Sequence, residues 1–314
     1  MSMADSQPAE LLGGRPALII GGGRMGLAIA QILAARGVAT TVVEPNAEIV
    51  AAGPERLRQI SRARGQDLDA AATVRFASDI ESAGDDVALA IEAAPERLDL
   101  KREIFRRLEA ACPPDAILAT NTSVIPVGQI GADVVDRSRV VGAHFWNPPY
   151  AVRLVEVVQT QDTSDATVAA TMAFLAAVGQ LPVHVRKDIP GFIGNRLQHA
   201  LKREAIALVQ SGVCDAETVD FVVKNSFGAR LGVMGPLEQS DLVGLNLTLA
   251  IHDVVLADLD VTGGPQRLLI DLVAAGQTGA AVGQGFRSWT AEQRQELQQR
   301  LDRQLLSPSP LAVD

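Results

Sequence analysis

Two side chains suited to proton transfer stand in unusual company. His144 and Glu156 lie in the stretch RVVGAHFWNPPYAVRLVEVV, residues 139–158, each inside an apolar run. Imidazole exchanges a proton near neutral pH, and a neighbouring carboxylate holds it in one tautomer and stabilises the imidazolium that forms. Val140–Val141 and Leu154–Val158 read as strands, and the turn at Asn147, Pro148 and Pro149 returns the second beside the first. This predicts an acid–base pair in a dry site. Two other histidines read differently: His184 sits between valines with no carboxylate close in sequence, and His199 lies on a polar helix flank. Both fit structural or solvated roles better.

The elements that must position this pair begin with ALIIG, a short buried strand running straight into GGGRMG, where Gly21, Gly23 and Gly26 fit G-x-G-x-x-G. A helix follows, with Met25, Ile29 and Ile32 or Leu33 on its apolar face, ends at Gly37, and leads to the strand TTVVE. In such a βαβ unit the first glycine turns tightly, the second lets a pyrophosphate approach the backbone, and the third lets helix and strand pack closely. Arg24 and Met25 share that cofactor loop. Glu44 closes the second strand 23 residues after Gly21, where an acid binds ribose hydroxyls and repels a 2′-phosphate, so the expected cofactor is NAD rather than NADP.

Further strands are expected at VRFAS, VALAIEAAPE and AILATNTS, with an amphipathic helix at LDLKREIFRRLEAAC between the last two. Ligands of open parallel sheets lie beyond the carboxyl ends of the strands, so Glu92, Asn121 and Ser123 point at one place. Each also fits a cap or turn role, Ser123 in particular. The arginines at 56, 58, 62 and 64 read as a solvated helix face or as a rim for a charged substrate tail. After the strand LPVHVRK the pattern turns helical, with helices expected over about 191–211, 215–226, 236–257, 264–275 and 290–305. Asn195 stands in the first turn of the first of these, either as a cap or as a polar group entering a cleft.

The expected fold is therefore α/β: a doubly wound Rossmann-type domain, 16–188, then an all-α domain, 189–306, with a flexible lead-in, 1–15, and a frayed tail, 307–314. The formal charge of −9 argues against general nucleic-acid binding, since phosphate backbones are held by positive surfaces. Cys112 and Cys214 have no metal-ligand spacing, so reduced thiols, a cytoplasmic setting and no metal are expected. Neither a membrane span nor a secretory leader is expected, because no apolar run approaches roughly 18 residues and the N-terminal stretch has no apolar segment with a basic flank.

Four segments together resemble the L-3-hydroxyacyl-CoA dehydrogenase family over about Pro16 to Trp289: GGGRMGLAIA; IEAAPERLDLKREIFRRLE with TNTSVIP; GAHFWNPPYAVRLVEVV; and DIPGFIGNRLQHALKREAIALVQSG with GPLEQSDLVGLN. The resemblance implies an NAD-binding domain, a helical domain that pairs two subunits, and reversible hydride transfer at a 3-hydroxy group, in fatty acid metabolism for the acyl-CoA members. It matches the family's catalytic histidine and glutamate to His144 and Glu156, and its substrate-contacting serine and asparagine to Ser123 and Asn195. The asparagine of its H-F-x-N-P motif is Asn147, and its cofactor-contacting acid and lysine are Glu96 and Lys101. GAAVGQGFRSW departs, at Ala281, Val282 and Arg287, from the acyl-CoA pattern of a lysine and a small hydroxyl residue before G-x-G-F-Y. NPPYAVRLVEVV and FGARLGVMGPLE look more like relatives that oxidise free hydroxy acids, among them gulonate and carnitine dehydrogenases, lambda-crystallin and a dehydrogenase of pyridine-carboxylate breakdown. The alternatives are thus a dehydrogenase of a free small hydroxy acid and, from another class, a non-catalytic NAD(H)-binding structural protein.

Overall fold

The computed structural model describes residues 7–63 and 68–306. Residues up to Arg196 form one compact unit and residues from Leu197 onward a second. In the first, eight strands form one sheet: β1 Ala17–Ile20, β2 Thr40–Val43, β3 Arg75–Ala77, β4 Leu89–Glu92, β5 Ile117–Thr120, β6 Val140–Phe145, β7 Leu154–Val158 and β8 Leu181–Val185. Their order is β3-β2-β1-β4-β5-β6-β7-β8, parallel throughout except for the antiparallel β6–β7 pair. The order reverses between β1 and β4, which places a ligand crevice at the carboxyl ends of those two strands.

Helices α1 Pro8–Leu11, α2 Arg24–Ala34, α3 Ala47–Ala63, α4 Leu68–Ala72, α5 Leu98–Ala111, α6 Val127–Ile130 and α7 Asp165–Ala177 complete this unit together with the start of α8 Gly194–Gln210. β1, β4 and β6 are buried along their whole length because both faces of the sheet are covered, as their near-continuous apolar sequence requires. The period-two alternation of strands sorts side chains into two cores: Ala17 and Ile19 join Ile29, Leu33 and Phe174 on one side, whereas Leu18 and Ile20 join Phe105, Leu108 and Ile130 on the other. Each large side chain so buried contributes about 1.5–3 kcal/mol. The Ser164 side chain caps α7 by accepting from the Thr167 N–H.

The second unit contains the rest of α8, then α9 Ala216–Asn225, α10 Pro236–Val243, α11 Leu245–Val255, α12 Arg267–Ala274 and α13 Ala291–Leu306. The helix expected over 236–257 is two helices, because Gly244 takes φ +97° between α10 and α11, a conformation that ends the first. The lead-in is partly ordered: Pro8–Leu11 is helical and Leu12 is buried in the first core. The compact sheet unit runs on into the first turn of α8, which is hydrogen-bonded to its groups. Arg64 and the tail 307–314 lie outside the described residues.

Candidate active site

The glycine loop is built for close approach. Gly21 sits at φ +110°, and a Cβ there would fall 2.8 Å from the Ala93 carbonyl oxygen; a Cβ on Gly26 would fall 1.9 Å from the Gly21 oxygen, so α2 meets β1 only through glycine. Gly23 faces open space, and as N-cap of α2 it leaves the helix start without a side-chain cap. Uncapped N–H groups and the positive end of a helix make an anion cradle, which fits a pyrophosphate. The Glu44 carboxylate accepts from the Gly22 N–H (2.8 Å) and the Asn46 N–H (2.9 Å), which ties the acid at the end of β2 to the loop. Arg24 is exposed and Met25 half-buried against the first core. These residues fit NAD.

Beyond the ends of β4 and β5 a buried network holds the next loop. Lys101, 1% exposed, donates to both oxygens of Glu92 (2.7 and 2.9 Å) and pairs with Glu96 at 3.2 Å. Glu92 also accepts from the Ala94 N–H and the Thr120 hydroxyl. Leaving either member of the buried Lys101–Glu92 pair alone would destabilise the unit by about 3–5 kcal/mol. Glu96 accepts from the Thr122 hydroxyl and from the N–H groups of Ser123 and Val124. Burial acts to raise its carboxyl, but the Thr122 hydroxyl, the Lys101 charge and the two N–H groups outweigh it and hold the group below the usual carboxylate range. Asn121 accepts from the Phe145 N–H at 2.8 Å, which joins the end of β5 to β6.

The antiparallel register sets His144 directly opposite Glu156. His144 Nδ1 lies 2.7 Å from Glu156 Oε2, with both side chains buried. A carboxylate can only accept, so Nδ1 carries the proton and Nε2 is left for exchange with a substrate. The other oxygen, Oε1, accepts from the N–H groups of Ile193 (2.9 Å) and Gly194 (3.0 Å). Burial would raise the Glu156 carboxyl, yet the bond to His144 and the N–H groups of Gly194 and Ile193 keep it below its usual value. Asn195 donates from Nδ2 to the Ser123 carbonyl at 2.9 Å, which brings the two polar candidates together. The Ser123 hydroxyl has no partner among the described residues.

The structure thus joins His144, Glu156, Ser123 and Asn195 through a continuous set of contacts. Asn147 is exposed in the β6–β7 turn, next to a cis Asn147–Pro148 peptide. His184 bonds Gln159 at the exposed edge strand, and His199 is exposed. Arg58 and Arg62 pair with Glu55 on their own helix. Arg287 stacks over Trp289 at 4.3 Å within the helical unit. An apolar cavity of about 470 Å³ in that unit, lined by Ile206, Val209, Leu269 and Phe286 among others, contains none of the site residues named from the sequence. Three participants carry no sequence signal of their own, being visible only as letters in FWNPP and PGFIG: Trp146 and Phe192, whose rings flank the imidazole at 5.3 and 5.7 Å, and Gly194. Among the described residues, no group of three or more His, Cys, Asp or Glu is arranged to hold a metal ion.

A glycine loop closed by an acid, at the switch point of a doubly wound sheet that also holds an imidazole–carboxylate pair, defines an NAD-linked dehydrogenase. Comparison with known proteins narrows the class. The family profile for the 3-hydroxyacyl-CoA dehydrogenase NAD-binding domain matches residues 17–189, and that for the 3-hydroxyacyl-CoA dehydrogenase C-terminal domain matches 191–289. The chain belongs to the 3-hydroxyacyl-CoA dehydrogenase family and is an NAD-dependent oxidoreductase. It is 33% identical to 5-formyl-3-hydroxy-2-methylpyridine 4-carboxylate 5-dehydrogenase of Mesorhizobium japonicum, over 92% of this chain and 95% of that one. It is 35% identical to 3-hydroxybutyryl-CoA dehydrogenase of Mycobacterium tuberculosis, over 86% of this chain and 97% of the relative. A solved structure of a 5-formyl-3-hydroxy-2-methylpyridine 4-carboxylic acid 5-dehydrogenase, described as an NAD+-dependent dismutase, superposes with a TM-score of 0.85 at 31% identity, covering 93% of this chain and 96% of that one.

Proposed function

We propose that this chain reversibly oxidises a secondary hydroxyl to a ketone on a 3-hydroxyacyl-CoA or a related 3-hydroxy acid, with His144 as the general acid–base. The 2.7 Å contact between Nδ1 of His144 and Glu156 carries this reading, because it leaves Nε2 to take the hydroxyl proton. Glu156 stabilises the imidazolium that forms, and its backbone partners keep it ionised. The Ser123 hydroxyl and Asn195 supply dipoles where negative charge develops on the substrate oxygen. Asn147 contacts substrate from the turn. NAD, when bound, supplies the hydride acceptor. Gly21, Gly23, Gly26, Arg24, Met25, Glu44, Glu96, Lys101 and Asn121 form its site, and the buried Lys101 serves it by fixing Glu96 and the loop after β5.

A second reading, a free small hydroxy acid without CoA, draws on the departures at Ala281, Val282 and Arg287 and on the pairing of Arg58 and Arg62 with Glu55, which engages both guanidiniums with a carboxylate of their own helix. The first reading places the enzyme in fatty acid metabolism; both place it in the cytoplasm. We also propose a homodimer built on the helical unit. α11 leaves Leu245, Leu247, Leu249, Ile251 and Val254 exposed in the single chain, and clustered exposed apolar side chains of this kind mark a surface that a partner covers.

The test is NADH consumption with acetoacetyl-CoA and with a panel of free short keto acids. Turnover with acetoacetyl-CoA at least about tenfold better, equivalent to about 1.4 kcal/mol, supports the CoA substrate. The reverse preference removes it, and no turnover with any of them removes the enzyme in favour of an NAD(H)-binding structural protein.

A further inference from the structure

One short strap touches His144, Glu156 and Ser123 and contributes Asn195 itself. After Pro190, Gly191 and Phe192 take φ +73° and +49°. The next two N–H groups, of Ile193 and Gly194, land on Glu156 Oε1, and the side chain after them, Asn195, holds the Ser123 carbonyl. Left-handed φ is disfavoured for a bulky residue and persists only where the surroundings over-determine it. Here they do: Phe192 is 0% exposed, and its ring lies 5.7 Å from the His144 ring, with Trp146 at 5.3 Å also against the imidazole. Successive N–H groups after such a turn form a concavity for an anion. The anion in this concavity is the chain's own Glu156.

Gly194 serves the same arrangement. A Cβ there would fall 2.2 Å from the Trp146 indole, so only glycine lets the start of α8 reach Glu156 while the indole stays against the imidazole.

We propose that Phe192 is a positioning residue for proton transfer: its left-handed backbone aims two N–H groups at Glu156, and its ring, with Trp146, fixes the plane of the His144 imidazole. This rests on the reading of His144 as the proton carrier. Phe192→Leu in the full chain retains an apolar side chain and removes the ring. Expected are a fall in kcat of about 30-fold with KM for NADH changed less than about threefold, since misplacing a reacting group weakens the transition state rather than remote binding. The low-field proton resonance of Nδ1–H on Glu156, identified by its loss in His144→Asn, shifts or broadens as well. A lower unfolding temperature with wild-type kcat and a wild-type resonance overturns the proposal, because filling space would then be the whole role of Phe192.

Should Phe192→Leu not fold, Gly194→Ala decides: kcat about tenfold lower and a displaced resonance support the proposal, and wild-type values overturn it. Undiminished turnover in His144→Asn instead removes the proton-carrier reading, and the resonance in Phe192→Leu still decides whether Phe192 sets the geometry of the pair.

Discussion

Among the described residues, the buried apolar side chains run from Leu12 to Phe192, all in the sheet unit, whereas from Leu197 onward Leu237, Leu242, Leu245, Leu249 and Val254 are each more than half exposed. The first unit encloses its own core on both faces of a sheet and gathers Glu92, Thr120, Asn121, His144 and Glu156 at or near the strand ends, where these five are hydrogen-bonded. The second is a set of helices whose apolar faces outnumber the surfaces available in one chain to cover them. On the proposed function, chemistry belongs to the first unit and assembly to the second. Changes in the first unit should alter turnover without altering mass, and changes in the second should do the opposite.

The largest effect belongs to His144→Asn, for which kcat should fall about 10³-fold while NADH affinity, measured by fluorescence titration, and mass by light scattering stay as in the wild type. Glu156→Gln should lose about 10²-fold. It should also flatten acid stability. The folded carboxyl lies below its ordinary value of 4.5, so its bonding stabilises the unit above about pH 4.5 and is lost as pH falls through the lower folded value. Denaturation midpoints between about pH 6 and 3 would fall less steeply in the variant than in the wild type.

In the helical unit, Leu249→Arg places a charge on a 62% exposed apolar position of α11. The expected outcome is a shift from dimer to monomer by sedimentation at micromolar concentration, with NADH affinity changed less than about threefold. A variant that stays dimeric would locate the interface elsewhere.

The smallest effect uses the two cysteines, one in each unit. Burial pushes the Cys112 thiol up to about 11, whereas Cys214 is partly accessible. A thiol reagent at pH 8 should therefore label Cys214 quickly and Cys112 only on unfolding. Equal rates would show that the sheet unit opens as readily as the helical one.

The βαβ start, the strand ends carrying Glu92 and Ser123, and the pairing of His144 with Glu156 were legible because each depends on local spacing: glycines within six residues, an apolar period of two, and a proline turn between two strands. What was not legible depends on contacts distant in sequence. Lys101 and Glu96 enter from the sequence only through the family resemblance, as cofactor contacts; in the structure Lys101 is buried against Glu92, and Glu96 is a clamp on the Ser123 loop through three donors from another strand end. The start of α8 looks like the first turn of a new domain, yet its N–H groups belong to Glu156. Gly244 lies in a long apolar periodicity that hides its break, since pattern records which side chains repeat and not the sign of φ.

The antiparallel register that sets His144 against Glu156 also constrains the length of this gene segment. Glu156 pairs with His144 on one side and with Val183 of β8 on the other, so the turn from Trp146 to Arg153 is held at both ends. Adding or removing one residue within β6 or β7 would turn Glu156 to the opposite face of the sheet, away from the imidazole, whatever the identity of the inserted residue. Substrate preference can diverge through the composition of the turn itself, while insertions and deletions are confined to changes that leave the two strands in phase.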